Sequence, residues 1–205
     1  MTTTATPPRI PPIEPPYEPD TEASLIKWMR MPPGSAVEPL RLFRTLMVHD
    51  TLASRMRPLG AGILGPRATV PAPLREVMIH RTCALTGAEY EWGVHAVAFG
   101  KPLGLSDEQL HSTVHGSSAD ACWDSVQSIV FELADQLHKT SAVSDELWRS
   151  LEQEFAAEQL LELIVTAGWY HLISYICNGV RVEQEDWGAR FPAADCARAA
   201  GGIPR

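Results

Sequence analysis

Cysteine is scarce in this chain: four in 205 residues, at positions 83, 122, 177 and 196, with no two at dithiol or metal-site spacing. That sets aside a disulfide framework and describes a reduced thiol set. Basic charge is short as well. Seventeen Lys and Arg stand against 25 Asp and Glu, a net charge of −8. A phosphate-binding surface needs Lys and Arg to dominate one face, so nucleic acid is not an expected partner. Gly-x-Ser-x-Gly elbows, glycine-rich phosphate loops and dinucleotide fingerprints are missing. The N-terminus has no charged-then-apolar leader, and no apolar run reads as long enough to span a bilayer, so a cytoplasmic protein without a membrane partner is expected. No stretch sustains period-two alternation, which leaves strands minor or absent.

What is present reads as helix. With 45% hydrophobic residues, the chain is long enough to bury a proper core as one domain over residues 20–191. Ahead of it, residues 1–19 are crowded with prolines and favour an extended conformation. This segment is either a loose tail or an arm over a neighbouring subunit; Ile10, Ile13 and Tyr17, recurring at roughly every third residue, suit an arm. A first helix starts at Asp20 and ends at Pro32-Pro33-Gly34. Leu40, Phe43, Leu46 and Met47 then share one face, and Asp50 caps a segment broken near Pro58 and Gly60. Ser106-Asp107-Glu108-Gln109 is a capping box for a short helix to about His115. A long helix is expected from Ala119 to about Thr140, Ser144 caps another, and the last runs from Ala156 to Val180. That last helix is apolar nearly all round, hence central or at a subunit interface. The residues from Arg181 read as a polar surface tail, with 192–205 outside the domain. The sum is an all-α bundle of about eight helices.

The most informative stretch runs from Pro71 to Gly104 and reads as two helices joined at Gly87. Pro71 and Pro73 suit a helix's first turn, and Thr86 to Glu89 fits a capping box for the second helix, which can run to Phe99. Ala88, Glu91, Trp92, His95 and Phe99 share one stripe by three- and four-residue spacing, so His95 lies among apolar neighbours. Glu76 shares a face with Ile79 and Cys83. A buried acid and a buried imidazole on consecutive antiparallel helices can meet, and such a pair is tuned for proton transfer. The same pattern also fits a satisfied structural pair.

These residues resemble the carboxymuconolactone decarboxylase family, which shares a superfamily with the alkylhydroperoxidase AhpD. The matching run is Leu-Arg-Glu-Val, then Tyr-Glu-Trp-x-x-His, then Gly-Leu-Ser-Asp-Glu-Gln, from Leu74 to Gln109. More loosely the resemblance extends from Val37 to Phe191, including His49 and the run Tyr-His-Leu-Ile-Ser-Tyr-Ile-Cys-Asn. It implies the AhpD-like helical fold, assembly as trimers or hexamers with pockets near subunit contacts, and Glu76 and His95 as the family's acid and histidine. The peroxidase branch resembles Cys-x-x-Cys-x-x-x-His, and its cysteines would fall on Ala88 and Glu91; neither is a thiol, and Cys83 has no second cysteine near it.

The functional expectation is a cofactor-independent enzyme moving protons on a small carboxylated lactone or oxygenated organic acid. His95 is the general acid or base and Glu76 its orienting partner. Tyr90, Glu91, Trp92 and His49 are the candidate substrate contacts, although His49 also suits a helix-terminal structural role. Two alternatives stand beside it: an alkylhydroperoxidase-like reductase using unusual thiols, and a non-catalytic helical oligomer. Metal is not expected. Glu91 and His95 lie one turn apart, but no repeated Glu-x-x-His set accompanies them, and His111, His115, His138 and His171 are scattered. His171 is placed in packing rather than in the site.

Overall fold

The computed structural model describes residues 6–30 and 37–194. Within them the chain is all-α, with no strand among the described residues. The helices are α1 (Pro19–Met29), α2 (Arg41–Leu46), α3 (Asp50–Ile63), α4 (Ala72–Leu85), α5 (Glu89–His95), α6 (Asp107–His115), α7 (Ser125–Thr140), α8 (Asp145–Glu154) and α9 (Ala157–Val180). A 3₁₀ turn, Met47–His49, precedes α3, and a π-turn, Ala96–Gly100, follows α5. The Pro32-Pro33-Gly34 stop, Cys196 and most of the 192–205 tail lie outside the described residues.

Helix α4 is the axis of the bundle. It packs against α5, α6, α7 and α9, so an ordinary one-sided stripe would not serve it. Val77, Met78, Ile79 and Cys83 are fully buried, and so are the polar Glu76, His80 and Thr82. Each fully buried aliphatic side chain contributes about 1.5–3 kcal/mol; each buried polar one must find a partner. At the edge of α4, Arg81 donates to Asp135 at 2.5 Å and to the Thr113 carbonyl at 2.9 Å, and covers the Phe131 ring. One side chain thereby ties α4 to α6 and α7. Glu162 of α9 accepts from the Thr69 amide and hydroxyl and the Val70 amide, which pins the loop that leads into α4.

Several local expectations need correction. Helix α3 passes through Pro58 without a break; Pro58 sits on the exposed side. Its cap is His49, not Asp50: the His49 ring accepts from the Leu52 amide. The expected long helix begins at Ser125 rather than Ala119, because Asp124 and Gln127 form a capping box there. Ser106 and Gln109 form the expected one.

Helix α9 covers nearly the expected residues, but the expectation that no apolar run is long enough to span a bilayer needs correction. At 24 residues and a hydropathy of 1.4 it is long and apolar enough to cross a membrane by those measures alone. Its apolar perimeter is used inside the bundle, where half of that stretch is buried against α3, α4, α5, α7 and α8.

Residues 6–18 and 181–194 fold back on this body. Arg9 donates from its amide to Val180 and from its guanidinium to Gly179, while Ile13 and Tyr17 pack on the core. Residues 181–194 are not a loose surface tail. They form a strap across α5: the Ala189 amide donates to Gly93 at 3.2 Å, Phe191 sits against Trp92, and Glu89 accepts from Arg190 and Phe191.

Candidate active site

Glu76 and His95 reach one another because the α4–α5 turn is tight. Gly87 adopts φ +66°, a conformation that costs other residues energy, and the Ala88 amide closes back on the Cys83 carbonyl at 2.8 Å. Thr86 is not the expected cap. Its hydroxyl turns back to Thr82, Cys83 and Ser174, and α5 begins from Ala88 without a side-chain cap.

Across this turn the Glu76 carboxylate lies 2.9 Å from His95 Nδ1, with both side chains buried. Sequestering a lone carboxylate here would cost several kcal/mol, so the imidazole is its counter-charge. On the other edge, His95 Nε2 lies 3.1 Å from the Tyr170 hydroxyl and 3.5 Å from Glu91 Oε1. Burial alone would lower the His95 pKa. The Glu76 charge and hydrogen bond, joined by Glu91, outweigh it and raise the value to about 10. His95 is therefore an imidazolium at neutral pH, donating from Nδ1 to Glu76 and from Nε2 toward Tyr170 and Glu91.

His80, one turn after Glu76, completes the cluster and is fully buried. Its Nδ1 donates to the Glu76 backbone carbonyl at 2.7 Å and lies 3.5 Å from the Glu76 carboxylate. Burial dominates here and pushes the pKa down to about 4, against the pull of Glu76. Two imidazoles share one acid; only His95 carries charge. Among the described residues neither His80 Nε2 nor Glu76 Oε1 has a hydrogen-bond partner.

His95 and Glu91 form the floor of a cavity of about 450 Å³, walled by Trp28, Phe43, Leu64, Phe99, Trp169, Tyr170 and Ile173. Phe99 lies over His95, ring centroids 4.8 Å apart. Glu76 stands behind His95, outside the lining. Burial pushes the Tyr170 hydroxyl pKa well up, so it is a standing O–H donor.

The other expected contacts lie elsewhere. Tyr90 is outside the cavity lining: its hydroxyl donates to Glu185 at 2.6 Å and accepts from the Leu42 amide, a clamp between α5, α2 and the strap. Trp92 donates to Thr113 of α6. His49 is exposed and caps α3. His171 donates to the Ala167 carbonyl and pairs with His138 at 3.0 Å, in a separate open pocket beside α7. Cys83 and Cys177 are buried and outside this cavity, and burial holds both thiols well above their ordinary pKa. Among the described residues no group of three or more His, Cys, Asp or Glu side chains is arranged to hold a metal ion. Sequence reasoning missed His80 and Tyr170. His80 carried a signal, four residues after Glu76; Tyr170 was hidden in an all-apolar helix.

No family model matches the chain, and no curated protein matches it in sequence. Solved structures do. A peroxidase-related protein from a Silicibacter species superposes with TM-score 0.75 at 10% identity, covering 94% of this chain and 100% of that one. The debrominase Bmp8 in complex with 2,3,4-tribromopyrrole gives TM-score 0.71 at 12% identity, over 87% and 92%. An alkylhydroperoxidase AhpD core, a peroxidase-related protein from Ralstonia eutropha, gives TM-score 0.68 at 16% identity, over 89% and 95%. The fold is the AhpD-like helical fold.

Proposed function

We propose that this cavity is the active site of a cofactor-independent enzyme that moves protons at carbon next to a carbonyl, on a small oxygenated organic acid or lactone. The observation that carries the reading is the buried Glu76–His95 contact that sets His95 at the floor of a largely apolar cavity. Of the two activities the resemblance sets side by side, decarboxylation fits this site better than peroxide reduction. The reduction needs thiolates, and among the described residues no thiol lines the cavity.

Chemically, the parts divide as follows. When a carboxyl group leaves as carbon dioxide, its C–C bonding pair passes into an enolate. The Tyr170 hydroxyl is placed to donate to the enolate oxygen, and His95 Nε2–H to protonate the carbon. For an isomerisation Glu91, the carboxylate on the cavity floor, takes the proton and His95 returns one at a second position. Glu76 holds the ring's orientation and charge throughout. Exclusion of water by the apolar walls strengthens each of these interactions.

The test is exchange of carbon-bound hydrogen into candidate lactones and keto acids in heavy water. Wild-type protein is expected to catalyse it, His95→Asn to abolish it, and Glu76→Gln to reduce it about 10²–10⁴-fold. Exchange that survives intact in His95→Asn removes the proposal. Peroxide-dependent formation of a Cys83 disulfide during turnover would favour the thiol reading instead.

A further inference from the structure

The cavity's charged residues differ in exposure. Lys27, Arg30 and Arg57 line it together with Glu91 and His95. Exposure tells rim from floor: Lys27 and Arg30 are exposed and Arg57 half-buried, whereas Glu91 is 7% and His95 3% exposed. The remaining walls include the apolar Trp28, Phe43, Leu64 and Ile173, which offer nothing to solvate a charge.

The three cations are not equivalent. Arg30 is occupied: its guanidinium donates to the Ala61 carbonyl at 2.8 Å and the Leu64 carbonyl at 3.3 Å, on the last turn of α3. Lys27 is a solvated rim charge. Arg57 is the exception, since no hydrogen bond or ion pair engages its guanidinium among the described residues, although it is half-buried. In a chain where acids outnumber bases 25 to 17, an unengaged guanidinium against an apolar cavity is a donor fork without its acceptor.

We propose that Arg57 selects the substrate, and that the fitting ligand is a monoanionic carboxylate on an apolar ring or chain, held head-outward at Arg57 with its body toward His95. This deepens the acid–base reading and rests on its isomerisation branch, in which the substrate keeps its carboxylate while Glu91 takes a proton from carbon and His95 returns one. Arg57 supplies the paired N–H donors that a carboxylate takes in bidentate fashion. Single rather than double charge follows from the floor, where two carboxylates surround one imidazolium and repel a second anionic group. A cavity of about 450 Å³ lies in the usual range for small-molecule sites.

Calorimetry on the full chain with three probes tests it: phenylacetate, its neutral amide phenylacetamide, and the dianion phenylmalonate. Phenylacetate is expected to bind about tenfold more tightly than either. Arg57→Gln should erase that preference and Arg57→Lys keep part of it, with both variants melting as wild type does. Equal affinity for the amide, a preference that survives in Arg57→Gln, or no binding of any probe overturns the assignment. Failure of the wider reading looks different. Phenylacetate selectivity that depends on Arg57, in a protein that exchanges no carbon-bound hydrogen, leaves this site standing and removes the chemistry. Exchange on neutral lactones as fast as on carboxylated ones does the reverse.

Discussion

At the residue scale the site is a count of charges. Glu76 and Glu91 flank a single imidazolium, and His80 stays neutral because its burial outweighs the pull of Glu76, with the neighbouring His95 charge adding to the effect. Removing the cation alone leaves acids buried without a counter-charge. His95→Leu is therefore expected to cost about 3–5 kcal/mol, and the Glu76→Leu, His95→Leu double variant much less than the sum of its singles; additive losses in urea unfolding would refute the coupling. The two histidines also give opposite pH dependences. His95 is raised from 6.5 to about 10 in the fold, so its stabilisation is complete below 6.5 and is lost as pH rises through 10. His80 is lowered from 6.5 to about 4, so its neutral form favours folding above 6.5, and that contribution is lost as pH falls through 4. His80→Leu should flatten the acid limb of the stability curve between 6.5 and 4 and leave the alkaline limb in place. Melting temperatures across pH 3–11 decide between this and an unchanged acid limb. Glu76 and His95 were legible in the sequence because helical spacing turns both toward apolar neighbours. Tyr90 was misread: its phenol is claimed by Glu185, 95 residues away, which no local pattern encodes.

At the scale of elements, the α4–α5 hairpin and the π-turn after it fix the site's geometry. The helices could be placed from capping residues wherever both partners of the cap are local, as at Ser106 and Ser144. They were misplaced where a residue with capping chemistry is used otherwise, as at Thr86. The π-turn had no sequence signal, yet it brings Gly100 against the His80 ring. A methyl group on Gly100 would lie 2.9 Å from His80 Cε1 and 3.1 Å from Nε2. That ring cannot retreat easily, since it is edge-on to both Trp92 and His95. Gly100→Ala is thus expected to destabilise the fold by about 1–3 kcal/mol and to shift the ring resonances of His80 and His95 together. A variant that melts with wild type and keeps those resonances would show that the turn does not support the cluster.

For the whole molecule, the all-α class and most helices follow from periodicity, whereas the segments flanking the bundle do not. Residues 6–18 and 181–194 lie where contacts distant in sequence put them, such as Arg9 on Val180 and Glu185 on Arg41 and Tyr90. Helix α9 joins these scales. Its inner side holds Tyr170 at the cavity, while its outer side leaves Leu161, Leu172 and Tyr175 at 63%, 41% and 65% exposure. Leu172 and Tyr175 lie one turn apart, and Leu161 lies eleven residues before Leu172, about three turns along the same side, so the three mark one exposed apolar face. The trimer or hexamer implied by the resemblance has this face to use. Sedimentation of the wild-type chain is expected to give more than one protomer, and the Leu161→Glu, Leu172→Glu double variant a lighter species with an unchanged helical spectrum. Both side chains are solvent-exposed in the single chain, so the fold has little reason to suffer from the change. A wild type that sediments as a monomer, or a double variant as heavy as wild type, removes α9 from any assembly.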